Sequence, residues 1–208
     1  MTHTNYAYAY TKPDFDFNKI RINDVGKYSI TRPYEAKQIV FHMKTILTLN
    51  TPSELHNIPY NLTITDATAG VGGDTLHFSK HFKHVNAVDI LEDNIKLVTE
   101  NCKIFGVTNV STFTGDYTLL HNTLTQDIVY LDPPWGGIGY KKQESVELYL
   151  SDTPIHTAID KVFLHTKHIF LKLPLNANTT NLNIKEIRVI YNKKNVKSFY
   201  LAYLTKQV

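Results

Sequence analysis

The chain has 208 residues, enough for one domain with a full core, and 42% hydrophobic with 20% charged residues is an ordinary globular composition. A net charge of +3 permits an anionic partner without requiring one. No apolar run approaches the roughly 20 residues of a membrane helix, the amino terminus lacks an apolar signal core, and the single cysteine excludes an internal disulfide and argues against a cysteine-rich zinc cluster. An intracellular monomer without membrane contact or bound metal is therefore expected.

In chain order, Tyr6-Ala7-Tyr8-Ala9-Tyr10 lacks apolar company and reads as a mobile tail, an aromatic arm that orders over a ligand being the alternative. Pro33 opens a helix running to about Leu49, with Thr31 or Arg32 as cap and Ile39, Met43 and Ile46 on one face. Residues from Pro52 to Pro59 read as a loop. Strand-like and helix-like segments then alternate: a strand at 62–66, a helix at 74–82 and a strand at 85–89. A helix follows in which Leu91, Ile95, Val98, Cys102 and Phe105 share a buried face. Strands are expected at 109–113 and 127–131. Thr153-Pro154 starts a helix with Ile155, Ala158, Ile159 and Val162 facing inward, and a strand is expected at 168–173. The runs 184–191 and 196–204, joined by the polar turn at 192–195, must be antiparallel neighbours. The class is α/β: a mostly parallel sheet covered on both faces, with an antiparallel C-terminal hairpin, no internal repeat and no second domain.

Directly after the first strand stands Asp66-Ala67-Thr68-Ala69-Gly70-Val71-Gly72-Gly73-Asp74. A glycine-rich turn from strand to helix lets a ligand approach the backbone and presents helix-end N–H groups. The glycines do not follow the dinucleotide pattern, since Thr75 stands where its third glycine would be, and no Gly-Lys-Ser/Thr ending serves a nucleoside triphosphate. With no basic residue in the turn, a phosphate-free ligand such as S-adenosylmethionine suits Thr68, Gly70 and Gly72. Asp89, ending the second strand, is placed to accept both ribose hydroxyls, the plain alternative being a cap on the next helix. Asp116, after the third strand, can meet the adenine amino group or serve as a turn aspartate. Asp66 either holds the ligand's ammonium group or orders the glycine turn from below.

The run Asp132-Pro133-Pro134-Trp135-Gly136-Gly137 follows the fourth strand, at the sheet edge where open α/β folds bind ligands. It asks for a substrate with a planar exocyclic amine, a poor nucleophile because its lone pair is delocalised. Accepting both N–H groups, at the Asp132 carboxylate and the Pro133 carbonyl, tilts the nitrogen toward a tetrahedral shape. Proline fixes φ, so the carbonyl needs no reorganisation. In-line positioning is the main source of acceleration, a device capable of about 7–11 kcal/mol. Trp135 either packs under the sheet or, flanked by Pro134 and two glycines, offers a platform on which a base stacks. A cationic ring gains roughly 0.5–2 kcal/mol more there.

Two segments resemble one known family. Asp132 to Tyr140 (DPPWGGIGY) and Lys27-Tyr28-Ser29-Ile30-Thr31 look like the RNA cap guanine-N2 methyltransferases, the trimethylguanosine synthase family, and Asp66 to Gly73 (DATAGVGG) is similar to its cofactor motif. The resemblance spans roughly Gly26 to Tyr140. It implies a Rossmann-like class I methyltransferase fold, S-adenosyl-L-methionine as cofactor, and transfer to the exocyclic N2 of a 7-methylguanosine cap on RNA. By the same resemblance Trp135 stacks on the cationic base, and Ser29, Thr31 and Tyr28 belong to a segment that folds over the cofactor. Lys27, Arg32, Lys141 and Lys142 flank the pocket and could meet cap phosphates, solvated side chains being the alternative for each. The division implied is residues 1–50 as tail and helical lid and 51–208 as catalytic domain. The chain departs from the family at Asp132, where serine is usual. Aspartate is common in adenine-N6 and other amino-methyltransferases, so adenine-N6 or ribosomal guanine-N2 transfer is the alternative, and a cap- or RNA-binding relative without turnover a third reading. The chain reads as close to a minimal catalytic unit, and its Asn- and Lys-rich composition suits a microbial or large-DNA-virus source, acting in cytoplasm or nucleus.

Overall fold

A computed structural model of the chain describes residues 14–50 and 61–206; the tyrosine stretch at 6–10 and the expected loop at 52–59 lie outside these described residues. Runs rich in β-branched and aromatic residues form strands that can be buried on both faces. These are β1 (Thr63–Asp66), β2 (His84–Asp89), β3 (Val110–Thr114) and β4 (Ile128–Leu131), then a separate short ribbon of β5 (Tyr149–Leu150) and β6 (Thr153–Pro154), then β7 (His168–Leu173), β8 (Ile184–Tyr191) and β9 (Lys197–Leu204). The main sheet has seven strands in the order β3-β2-β1-β4-β7-β9-β8. It is parallel from β3 through β7, whereas β9 is antiparallel to both β7 and β8. The hairpin is as expected, with one addition: β9, later in the chain than β8, takes the inner place.

The helices are α1 (Gly26–Ser29), α2 (Pro33–Asn50), α3 (Gly73–Ser79), α4 (Glu92–Ile104), α5 (Tyr117–Leu120) and α6 (Ile155–Val162). Alternation through the strands divides the core. Ile64, Ile128, Tyr130, Phe170 and Leu201 pack with Ile39, Met43 and Ile46 of α2 and Phe78 of α3. Val129, Leu131, Ile169 and Leu171 face the other way, against Ile155, Ala158, Ile159 and Val162 of α6. The α2 helix buries polar residues as well, because it reaches the edge strand: Gln38 Nε2 donates to the Tyr191 carbonyl at 2.7 Å, and Tyr191 N donates to Gln38 Oε1 at 3.1 Å. No helix among the described residues is long and apolar enough to cross a membrane.

Three local expectations need correction. Leu91 is not on the buried face of α4: it is the extended N-cap residue, outside the helical period, and 56% exposed. Ile95, Val98 and Cys102 are buried as expected, and burial pushes the Cys102 thiol up to about 11. The expected helix at 74–82 is shorter, ending at Ser79 in a turn through Phe82. Thr153-Pro154 is not helical but pairs with β5, and the helix begins at Ile155.

The segment before α2 is seated on the glycine turn. Gly72 has φ 94°, a conformation that favours glycine. At Gly73 an added Cβ would lie 2.6 Å from Ile30 Cγ1 and 3.1 Å from the Thr31 carbonyl oxygen. Alanine for glycine within a helix ordinarily gains up to about 1 kcal/mol. Here the overlap wins, and Gly73→Ala is expected to lower stability by about 1–3 kcal/mol. Urea unfolding checks this; an unchanged midpoint would mean that the Ile30 side chain and the Thr31 carbonyl do not rest on the turn.

Candidate active site

Strand order reverses at β1, whose neighbours are β2 on one side and β4 on the other, so the crevice lies outside the carboxyl ends of β1 and β4. Asp66 ends β1, Asp89 ends β2, and Asp132 directly follows β4. The sheet thus brings to one edge three carboxyls that are far apart in sequence.

On the glycine-turn side, Gly70 N donates to Asp89 Oδ2 at 2.8 Å, while Leu91 N and Asn94 Nδ2 donate to Oδ1 at 2.9 and 3.0 Å. Asp89 therefore holds the lead-in residue and one side chain of the next helix, without capping it, and also ties down the turn. A carboxylate offers about four acceptor sites, so one on Oδ2 is left for a hydroxyl. Asn94 Oδ1 in turn accepts from Asn23 Nδ2 at 2.9 Å, and Asn23 Oδ1 accepts from Gly26 N at 2.8 Å, which moors α1 beside the same carboxylate. Asp116 is the N-cap of α5 and accepts from both Thr118 N and Thr118 Oγ1. Burial would raise its carboxyl, but hydrogen bonds from Thr118 and Ser151 outweigh that and hold it below the usual range. Asp66 is fully buried and accepts from Thr75 Oγ1 at 2.6 Å, with Oδ1 unpartnered among the described residues. Burial, with the Asp74 charge added, pushes its carboxyl well up, which disfavours the ionised form an ammonium ligand would need.

On the other side the register of β4 and β7 sets the geometry. Leu131 pairs with Leu171, so the next residues, Asp132 and Lys172, stand side by side. Lys172 Nζ donates to Asp132 Oδ2 at 2.7 Å and to Thr31 Oγ1 at 2.8 Å. Thr31 Oγ1 donates to Asp74 Oδ2 at 2.6 Å, and the Tyr130 hydroxyl donates to the same oxygen at 3.2 Å. Asp132 N donates to Thr68 Oγ1 at 2.7 Å, fastening the proline loop to the glycine turn. Burial and the nearby Asp74 push the Asp132 carboxyl up, Lys172 pulls it back, and it stands at about 6. Pro133 is buried and Pro134 exposed. Trp135 is half-buried, edge-on to Tyr140 at 5.2 Å and to Phe199 at 6.1 Å between centroids.

The remaining expected residues are exposed. Lys27, Tyr28 and Ser29 are exposed on α1; Lys27 Nζ pairs with Asp24 at 2.6 Å, and Ser29 Oγ donates to the Val25 carbonyl. Arg32 donates to the Lys27 carbonyl, and its guanidinium lies 5.2 Å from the Phe17 ring centroid. Its backbone N donates to Glu35, so Arg32 rather than Thr31 occupies the cap position of α2. Lys141 is exposed, 5.8 Å from the Tyr140 ring centroid. Sequence reading passed over Lys172, Asp74, Tyr130 and Phe199. A lysine inside the otherwise apolar run Ile169-Phe170-Leu171-Lys172-Leu173 is the signal that could have found the first.

A family model described as RNA cap guanine-N2 methyltransferase matches residues 61–206. The chain belongs to this family. Among its relatives, an uncharacterized protein of Acanthamoeba polyphaga mimivirus is 38% identical over 120 residues, 55% of this chain and 47% of that protein. A trimethylguanosine synthase of Saccharomyces cerevisiae is 26% identical over 149 residues, 64% of this chain and 47% of the yeast protein. The matches thus span about half the length of these curated relatives. Of solved structures, a 16S rRNA N2 methyltransferase of T. thermophilus in complex with AdoMet and guanosine superposes with a TM-score of 0.61 at 11% identity, covering 92% of this chain and 45% of that one. The fold of this cap guanine-N2 methyltransferase family member is accordingly the Rossmann-like methyltransferase fold.

Proposed function

We propose that the chain transfers a methyl group from S-adenosylmethionine to the exocyclic N2 of a 7-methylguanosine RNA cap, giving a di- or trimethylguanosine cap. The observation that carries this reading is the Asp132 to Trp135 loop at the switch point of the sheet, in a chain of the cap guanine-N2 family. The residues present fit the cofactor: Gly70 leaves open space where a Cβ would stand, Asp89 keeps one acceptor site, and the turn carries no cation to ask for a phosphate. Thr68, Gly70, Gly72, Asp89 and Asp116 would hold it, with Ser29 and Thr31 closing over it. When bound, the cofactor supplies an electrophilic methyl group.

Asp132 Oδ1 and the Pro133 carbonyl accept the two amine hydrogens, which lifts the nitrogen lone pair out of conjugation. The Trp135 ring and Pro134 form the stacking face. Lys172 Nζ lies 5.4 Å from the Trp135 ring centroid, so the base takes the opposite face. The carboxyls of Asp132 and Asp74 around that one ammonium make the locality hospitable to a cationic base. Lys27, Arg32, Lys141 and Lys142 would meet the cap phosphates, and Tyr28 would lie on the lid.

Product analysis by mass spectrometry tests the reading. Incubation with m7GTP and S-adenosylmethionine is expected to give a product heavier by one or two methyl groups, and GTP none. Equal transfer to GTP would remove the argument from cationic stacking. Transfer to adenosine or uncapped RNA alone would place the chain with the other amino-methyltransferases, as aspartate at position 132 allows.

A further inference from the structure

We propose that Lys172 is a positioning residue of the methyl transfer: its ammonium holds Asp132 Oδ2 so that Oδ1 is presented to the substrate amine. The inference rests on the amino-methyltransferase reading above.

Three observations carry it. Lys172 has 5% of its side chain exposed and Asp132 20%, so the 2.7 Å contact is a buried pair, not a surface one. Buried pairs contribute little net stability, and apolar residues in their place are often as good or better. By alternation Lys172 shares the sheet face of Phe170, where a methionine would pack without a charge to bury. A stability role therefore explains the lysine poorly. Second, its ammonium is fixed from several sides: Thr31 Oγ1 at 2.8 Å, the Phe199 ring centroid at 4.6 Å and the Trp135 centroid at 5.4 Å. Third, Lys172 is the one described residue hydrogen-bonded to the Asp132 carboxylate, and it takes Oδ2. The pair also reaches the segment before α2 through Thr31, so the seating of that segment and the orientation of Asp132 are joined at one ammonium.

The charged and titratable groups facing the pair are Asp74 of α3, Asp66 of β1, Tyr130 of β4, Tyr140 of the 138–142 turn and Glu35 of α2. Burial alone would depress the Lys172 ammonium, but Asp132 and Asp74 outweigh it and hold it up. Reciprocally, Lys172 is the group that pulls the Asp132 carboxyl down toward about 6.

The test uses Lys172→Met and Lys172→Arg in the full chain. Infrared titration of 13C-aspartate-labelled protein, with Asp132→Ala to identify the band, reads Asp132 without any substrate. In Lys172→Met its midpoint should rise by about one unit or more. Turnover on m7GTP should fall about 10- to 100-fold, the acidic limb of its pH profile moving up with the carboxyl, while KM and S-adenosylmethionine affinity stay within a factor of about two. Lys172→Arg keeps the charge and should restore the wild-type midpoint and part of the turnover. An unmoved Asp132 midpoint in Lys172→Met, undiminished turnover in that variant, or an Arg variant whose midpoint matches Met would each overturn the proposal. Wild-type protein inactive on every amine substrate, with the midpoint shift intact, would instead overturn the functional reading and leave the pairing established.

Discussion

Asp132→Ala is expected to lower turnover on a 7-methylguanosine substrate by about 10²–10³-fold, the loss seen when one preorganised polar contact to a reacting group is removed. The cofactor should bind within severalfold of its wild-type affinity, because the turn is held by Asp89 and the residue-132 backbone N–H that bonds Thr68 survives the substitution. The variant strands the Lys172 ammonium without its partner, and removing one member of a buried pair costs about 3–5 kcal/mol. Asp132→Asn keeps the volume and one acceptor oxygen, so it separates lost turnover from lost stability. Single-turnover rates at saturating substrate, beside urea midpoints for both variants, are the measurement. Full turnover in a folded alanine variant would remove the amine-orienting role. Wild-type turnover should also fall as pH drops through about 6, where the Asp132 carboxyl takes up its proton. The stability contribution runs the other way. A carboxyl raised in the folded state favours folding most below its unfolded value of about 3.9 and loses that contribution as pH rises through the folded value. The ionised form that the reaction uses is the one the fold disfavours.

Trp135→Ala is expected to raise KM for m7GTP roughly 10- to 100-fold, since stacking on an aromatic side chain is worth about 1–3 kcal/mol per base, with about 0.5–2 kcal/mol more for a cation. Cofactor affinity should change by less than about twofold, as the ring's partners are Tyr140, Phe199 and Lys172 and not the glycine turn. Asp89→Ala should show the converse, losing cofactor affinity with KM for the cap analogue kept. The chain has one tryptophan, so its fluorescence reports this ring alone. Quenching by m7GTP that is much weaker with GTP supports a cation on the ring, whereas equal quenching by both would count against it.

The strands were legible because their apolar runs are long relative to their turns, and the hairpin because Asn192 to Asn195 leaves room only for an antiparallel return. The Asn192 side chain closes that turn by accepting from Lys194 N and Val196 N. Strand order was not legible, since any parallel sheet satisfies the same alternation of elements. The carboxyls at the strand ends could be placed from sequence, but their partners could not. Thr31 or Arg32 read as the helix cap; Arg32 holds that place, and the Thr31 hydroxyl goes instead to Asp74, 43 positions away. Lys172 was hidden by the ordinary expectation that a lysine marks solvent; only the register of β4 with β7 brings it to Asp132. Leu91 failed for a simpler reason: it fits the helical period by spacing, but the helix starts after it.

The inner position of β9 has a bearing on how the protein is made. A ribosome delivers β1 to β7 before the strand that completes their sheet, and β8 cannot join it except through β9. Phe199, one of the two rings against the Lys172 ammonium, arrives on that last strand. The Asp132–Lys172 pair therefore gains this ring only once residues 197–204 have left the exit tunnel. Premature release upstream of that point would yield a chain with its glycine turn and proline loop both present, yet with the Lys172 ammonium uncovered on its Phe199 side.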